Sequence, residues 1–358
     1  MTRALAPWLW VATVCAVGIG GYVGYRTVQG ILRPLAPEAR PQTPDALRTI
    51  TIPEGATLRQ VATLLEREHL IRSHMGFLLL GKLKSAERHI HAGEYALHAG
   101  MRPVEILSDI VTGRVVLHDV TIPEGYTAAQ IGELLGHKSL TDAGDFMRLV
   151  RDREFIRSLN LDEPTLEGYL FPETYRFAHS MKAKDVIRAM VSGLEQVFTP
   201  EFKARAKDLD MNVHEILTLA SLIEKETGVD TERELVSAVF HNRLRSKIPL
   251  QSDPTVIYGL GQFDGNLRKQ DLTSTSPFNT YLIAGLPPGP IANPGAKAIR
   301  AALYPAPAKY LYFVSKNDGT HIFATSLQEH NQNVERFQKR PTHRREANGE
   351  RQAVNGQR

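Results

Sequence analysis

The chain has 358 residues, 42% hydrophobic and 23% charged, which excludes a fibrous or wholly disordered protein. Its formal charge of +4 is spread along the chain with a local excess in the final tail, not gathered into a basic stripe with interleaved aromatics, so nucleic acid is not an expected partner. A single cysteine, Cys15, excludes intramolecular disulfides and multi-cysteine metal sites, and the length exceeds the ~250–300 residues at which single cores stop growing, which predicts about two domains plus extensions.

From Ala4 to Tyr25 the only ionisable side chains are the tyrosines and Cys15, and the run is close to the ~20 residues that a helix needs to cross a bilayer. Trp8 and Trp10 at one end and Tyr22 and Tyr25 at the other sit where interfacial aromatics are favoured, so residues 1–29 are expected to form one uncleaved membrane anchor. Arg3 on one side and Arg26 and Arg33 on the other leave its orientation open on charge alone. Residues 30–48 are proline-rich and suit a semi-extended spacer.

An internal repeat follows: Thr51-Ile-Pro-Glu-Gly55 and Thr121-Ile-Pro-Glu-Gly125 each lead through a threonine, Thr57 or Thr127, into an apolar pattern of helical period. Each copy reads as strand, turn and capped helix, and Glu94–Leu97 followed by Gly100–Ile110 reads as a partial third. Residues 49–140 resemble LysM-like modules, which implies a unit that holds N-acetylated glycan; as a bare pattern, the repeats serve equally as a rigid spacer. His89 and His91 share a strand face, but no third ligand is evident, so no metal is expected.

Residues 141–340 begin with helical patterns around the loop Leu166-Glu-Gly-Tyr-Leu-Phe-Pro-Glu-Thr-Tyr175. Its large apolar side chains must pack on something, either as a plug or with Tyr169, Phe171, Glu173 and Tyr175 lining a sugar cleft. The strongest helical pattern runs from Met211 to Thr227 and stops at Gly228. At about 100° per residue, Glu224 and Glu226 fall on opposite borders of its apolar stripe. Glu226 is nearest the negative end of the helix dipole, where partial burial also favours the neutral acid, and is the better candidate for a general acid; Glu224 is the fallback.

The runs Glu226-Thr-Gly228, Val236-Ser-Ala-Val-Phe-His-Asn-Arg-Leu244, Leu250-Gln-Ser-Asp-Pro-Thr255, Asn279-Thr-Tyr281 through Gly295, and Leu311-Tyr-Phe-Val314 with His321 and His330-Asn331 together resemble the membrane-bound endolytic murein transglycosylase family. The resemblance extends over most of the chain. It implies a mostly helical, lysozyme-like catalytic domain in which one glutamate, matching Glu226, cleaves between N-acetylmuramic acid and N-acetylglucosamine inside peptidoglycan strands and leaves a 1,6-anhydro end. It also implies a place in the bacterial cytoplasmic membrane with the catalytic part outside, and partnership with peptidoglycan synthases. Gln251, Ser252, Asn279, Thr280 and Tyr281 are the candidates to orient the sugar's acetamido and hydroxyl groups, each alternatively a partner for loop backbone. Asn242 or Arg243 is expected behind the cleft. A hydrolase would need a second carboxylate, for which Asp253 or Glu173 are the candidates, and a non-catalytic glycan-binding scaffold would need none. The expected fold is α+β, with late strands around Leu311–Val314 and His321–Ala324, no cofactor, and a disordered basic tail over 341–358.

Overall fold

The computed structural model describes residues 47–179 and 181–339, with a few positions between Tyr22 and Leu35. The expected span, most of the spacer and the tail lie outside the described residues. Among the described residues no helix is long and apolar enough to cross a membrane. The fold is mixed α+β and mostly helical, and the chain divides into two compact units, one formed by the chain through His118 together with Arg176–Ser180, the other by Asp119–Tyr175 and the remainder.

In the first unit, β1 (Arg48–Ile52) leads through a turn with Gly55 at φ +75° to α1 (Leu58–Arg67) and α2 (His74–Leu83). Next come β2 (Gly93–Leu97) and α3 (Pro103–Thr112). β1 and β2 pair antiparallel with Ile50 opposite Tyr95, and alternation turns Ile50, Ile52, Tyr95 and Leu97 into a core shared with Val61, Leu65, Phe77 and Ile106. α1 starts where it does because Thr57 and Gln60 cap each other's backbone N–H groups, at 3.3 and 2.8 Å.

The second unit opens on the second repeat. β3 (His118–Thr121), whose first residue belongs to the first unit, precedes α4 (Ala128–His137), capped by the same reciprocal box from Thr127 and Gln130. α5 (Ala143–Val150) and α6 (Arg153–Ser158) follow, then β4 (Thr174–Phe177), which pairs with β3. The two similar sequence copies thus start alike locally yet belong to different units.

α7 (Ala183–Val197) and α8 (Pro200–Asp208) lead to α9 (Val213–Glu226), the central helix, capped by Asn212 with Glu215. Every residue of α9 from Ile216 to Ile223 is buried, because α8, α10 (Arg233–Arg245), α11 (Asp253–Leu260) and α12 (Ala296–Leu303) pack on it from several sides. Its Ile and Leu side chains contribute roughly 1.5–3 kcal/mol each on full burial. Ala220 on α9 and Ala298, Ala301 and Ala302 on α12 are all buried small residues that permit close helix approach. Finally β5 (Tyr312–Ser315) and β6 (His321–Ala324) form an antiparallel pair, followed by α13 (Leu327–Val334), which packs on it.

Candidate active site

Glu226 is the last residue of α9, at the edge of a cleft of about 340 Å³ lined also by Arg243, Gln251, Asp253, Tyr281, His321 and His330. The carboxyl keeps partial access to solvent through this cleft but is otherwise surrounded by protein. Burial is the main cause that pushes it up to about 7, and the nearby Asp253 carboxylate adds to the shift. Two groups act the other way: the Ser252 hydroxyl, which donates to Glu226 Oε1 at 2.5 Å, and the Arg243 guanidinium.

Ser252 stands in the N-cap position of α11, where a serine ordinarily caps the helix with its own oxygen. Here its side chain makes no capping bond, and its hydroxyl goes to Glu226 instead. The backbone around it is held from behind: Ser252 N donates to Thr280 Oγ1 at 3.0 Å, Gln251 N donates to Thr280 O at 3.0 Å, and the Thr255 and Thr280 hydroxyls meet at 2.8 Å. Gln251 itself has φ +50°, a left-handed conformation that costs a non-glycine residue of order 1–3 kcal/mol and survives only where the surroundings over-determine it. That strain turns the chain so that Gln251 faces the cleft while Ser252, next to it, faces the acid.

The two glutamates in the last turn of α9 have opposite fates. Glu224 Oε1 accepts from Arg233 Nη2 at 3.1 Å, with both side chains buried, and Oε2 accepts from Gly295 N at 3.0 Å. It joins α9 to α10 and to the start of α12, and its charge is already satisfied. The fallback acid is therefore part of a structural ion pair, and of the two glutamates Glu226 is the one on the cleft.

The remaining expected residues separate into two groups. Gln251 and Tyr281 line the cleft, and the Tyr281 hydroxyl donates to Asp253 Oδ1 at 2.6 Å. Ser252, Asn279 and Thr280 are buried behind it. Asn279 Nδ2 donates to Leu272 O and Ser274 O, so it shapes the loop that carries Tyr281. Tyr169 lies elsewhere: it is buried, with its hydroxyl 3.0 Å from His214 Nδ1, and Glu173 is exposed next to β4 and does not line the cleft. The Leu166–Tyr175 loop is packing, not cleft lining. Gly168, at φ +86°, lies so close to Pro290 that a Cβ there would stand 2.3 Å from the ring, and Asn293 Oδ1 accepts from Gly168 N and Leu170 N at 2.9 Å each.

Five further groups belong to the site: sequence places Asn242 or Arg243 behind the cleft but does not single out His321, Glu232 or His330 as site residues. Arg243 is both support and lining: its guanidinium donates to Leu311 O at 2.7 Å and Leu250 O at 2.9 Å, and so fixes β5 against the strained turn. Asn242 beside it donates to Ala308 O and Tyr310 O. His321 Nδ1 lies 2.8 Å from Glu232 Oε2, and Glu232 in turn accepts from Thr227 Oγ1 at 3.5 Å, which links the residue after the acid to a histidine of the cleft. His330, stacked on Tyr312 at 5.2 Å, has its Nδ1 buried in the cleft wall without a protein partner. His321 and His330 do stand in the motifs that carry the family resemblance, whereas Glu232 has only its tertiary contacts to mark it.

A carboxyl that titrates near neutrality can donate a proton and take one back within a single cycle. Residues 50–336 match the model of the YceG-like family. An endolytic murein transglycosylase of Bacillus subtilis (strain 168) is 34% identical over 304 residues, covering 80% of this chain and 84% of that protein. One from Streptococcus pneumoniae (serotype 2, strain D39) is 32% identical over 348 residues, covering 88% of this chain; the chain spans 62% of that longer relative. The crystal structure of a yceG-like protein from Listeria monocytogenes matches with a TM-score of 0.56 at 33% identity, covering 80% of this chain and 98% of that one.

Proposed function

The chain belongs to the YceG-like family, and on that premise we propose that it is an endolytic peptidoglycan lytic transglycosylase with Glu226 as its acid and base. The observation that carries this reading is a single cleft carboxyl raised to about 7 by burial and held by Ser252. Glu226 in its neutral form protonates the glycosidic oxygen between N-acetylmuramic acid and N-acetylglucosamine as the bond to C1 breaks. The resulting carboxylate then takes the proton from the muramic acid C6 hydroxyl, whose oxygen bonds to C1 and closes the 1,6-anhydro ring. The proton count closes on one residue, and no water enters the product. Developing positive charge at C1 is offset by nearby acceptors, for which Asp253 and Gln251 are the cleft candidates. The Tyr281 ring, on the cleft, is suited to contact sugar.

The rest of the proposal follows from the substrate. The repeat-bearing module is read as LysM-like, and its groove of about 620 Å³, lined by Thr57, Arg59, Met75, Leu79, Lys82 and Arg88 among others, is the place where it would hold glycan. Residues 1–29 are read as a single membrane anchor, with the catalytic part on the outer face of the bacterial cytoplasmic membrane next to the synthases whose strands it ends. The test is full-length protein, in membranes, given intact sacculi. The native chain is expected to release fragments one water lighter than a hydrolase would, and Glu226→Gln to release none while still binding glycan. A chain without residues 4–25 is expected in the supernatant. Reducing-end products would instead assign Asp253 a water-activating role, and unchanged cleavage by Glu226→Gln would sink the reading.

A further inference from the structure

We propose that Glu94, His118 and His179 bind one divalent transition-metal ion of the zinc type. Glu94 lies on β2, His118 opens β3, and His179 follows β4, yet one ligand atom from each lies within 4.8 Å of the other two. All three belong to the first compact unit and all are partly buried. The scaffold under them is defined: Tyr95, next to Glu94, is fully buried, so alternation sends Glu94 to the other face of the strand, and Val116 N donates to Glu94 O at 2.6 Å, which brings His118 alongside.

His118 Nε2 stands 2.9 Å from Glu94 Oε2, and the His179 ring meets the His118 ring edge-on with centroids 3.9 Å apart. An ion pair between Glu94 and His118 accounts for the first contact alone, whereas a cation held by the carboxylate and both rings accounts for the two together. Metal–ligand bonds of about 2.0–2.1 Å in tetrahedral geometry put donor atoms about 3.3 Å apart. The trio comes within roughly an ångström or two of that spacing, which side-chain rotation supplies. Two imidazoles and one carboxylate suit zinc and its first-row neighbours over magnesium or calcium, and three protein ligands leave a position for water. Bound there, the ion cross-links β2, β3 and the segment after β4, a staple for a small unit with no disulfide.

Full-length protein stripped with EDTA and titrated calorimetrically with Zn²⁺ is expected to take up one equivalent. Co²⁺ is expected to give the visible absorption of a tetrahedral nitrogen–oxygen site, and His118→Ala and His179→Ala each to weaken binding at least tenfold. Absence of stoichiometric uptake by the native chain, or uptake unchanged in both variants, overturns the proposal. Should a variant fail to fold, histidine ring resonances of the native chain decide: those of His118 and His179 must shift together on addition of Zn²⁺. Shifts confined to other histidines, such as His89 and His91, overturn it.

Discussion

Glu226 and Glu224 stand two positions apart, and what separates them is the company each keeps. A guanidinium and a backbone N–H hold Glu224 in an ion pair, while Glu226 is largely buried with one hydroxyl on it, a like charge nearby and the Arg243 guanidinium acting against that charge. Neighbours that act in opposite directions make a test with a sign. Ser252→Ala removes a hydrogen bond that favours the charged form, so the titration of Glu226 is expected to move up. Asp253→Asn removes a repelling charge, so it is expected to move down. Since the neutral form starts the reaction, kcat/KM of the native chain should fall about tenfold per pH unit above about 7, and this limb should move to higher pH in Ser252→Ala and to lower pH in Asp253→Asn. Limbs that move together in both variants would remove Glu226 as the titrating group.

At the scale of elements, legibility followed locality. The strands at Arg48–Ile52 and His321–Ala324, the Thr57 and Thr127 caps and the central helix through Glu226 can be read because capping and hydrophobic period act within a few residues. The apolar loop after Leu166 was legible as buried but not as to what it buries against, since aromatics beside a glycine look the same in a core as in a sugar cleft. Its partner, Asn293, lies 125 residues from Gly168 in the chain. Ser252 has a serine's ordinary look of a helix cap, and only the folded chain shows the hydroxyl spent on the acid. The loop's register makes its own prediction. Gly168→Ala combines a positive φ with a clash against Pro290 and is expected to destabilise the second unit by about 1–3 kcal/mol, read from urea melts, whereas Gly228→Ala, with no heavy atom within 4 Å of the added carbon, should be near neutral.

Over the whole molecule, the second unit holds another carboxyl raised to about 7 by burial, Glu167, which accepts from Ala128 N and Asn293 Nδ2 at 2.9 Å each. Below the unfolded value of about 4.5 both states keep this proton and its contribution to stability is full. Between there and about 7 the unfolded chain releases the proton first, so stability falls as pH rises, and it levels off above the folded value. The contribution lost is on the order of 3 kcal/mol. Urea midpoints measured at pH 5 and pH 8 are therefore expected to drop with rising pH in the native chain and to drop less in Glu167→Gln. An equal drop in both would show that the carboxyl ionises freely in the fold.

The acid, the serine it leans on, the threonines behind that serine and the histidine pair across the cleft enter the chain one after another, from Glu226 to His330. A ribosome delivers them in that order. Until the last third has been made, the growing chain carries its glutamate as an ordinary solvated carboxylate, unable to give up a proton at neutral pH because it has already lost it. Proton donation at neutral pH thus belongs to the finished fold of the second unit and not to the helix that carries the residue.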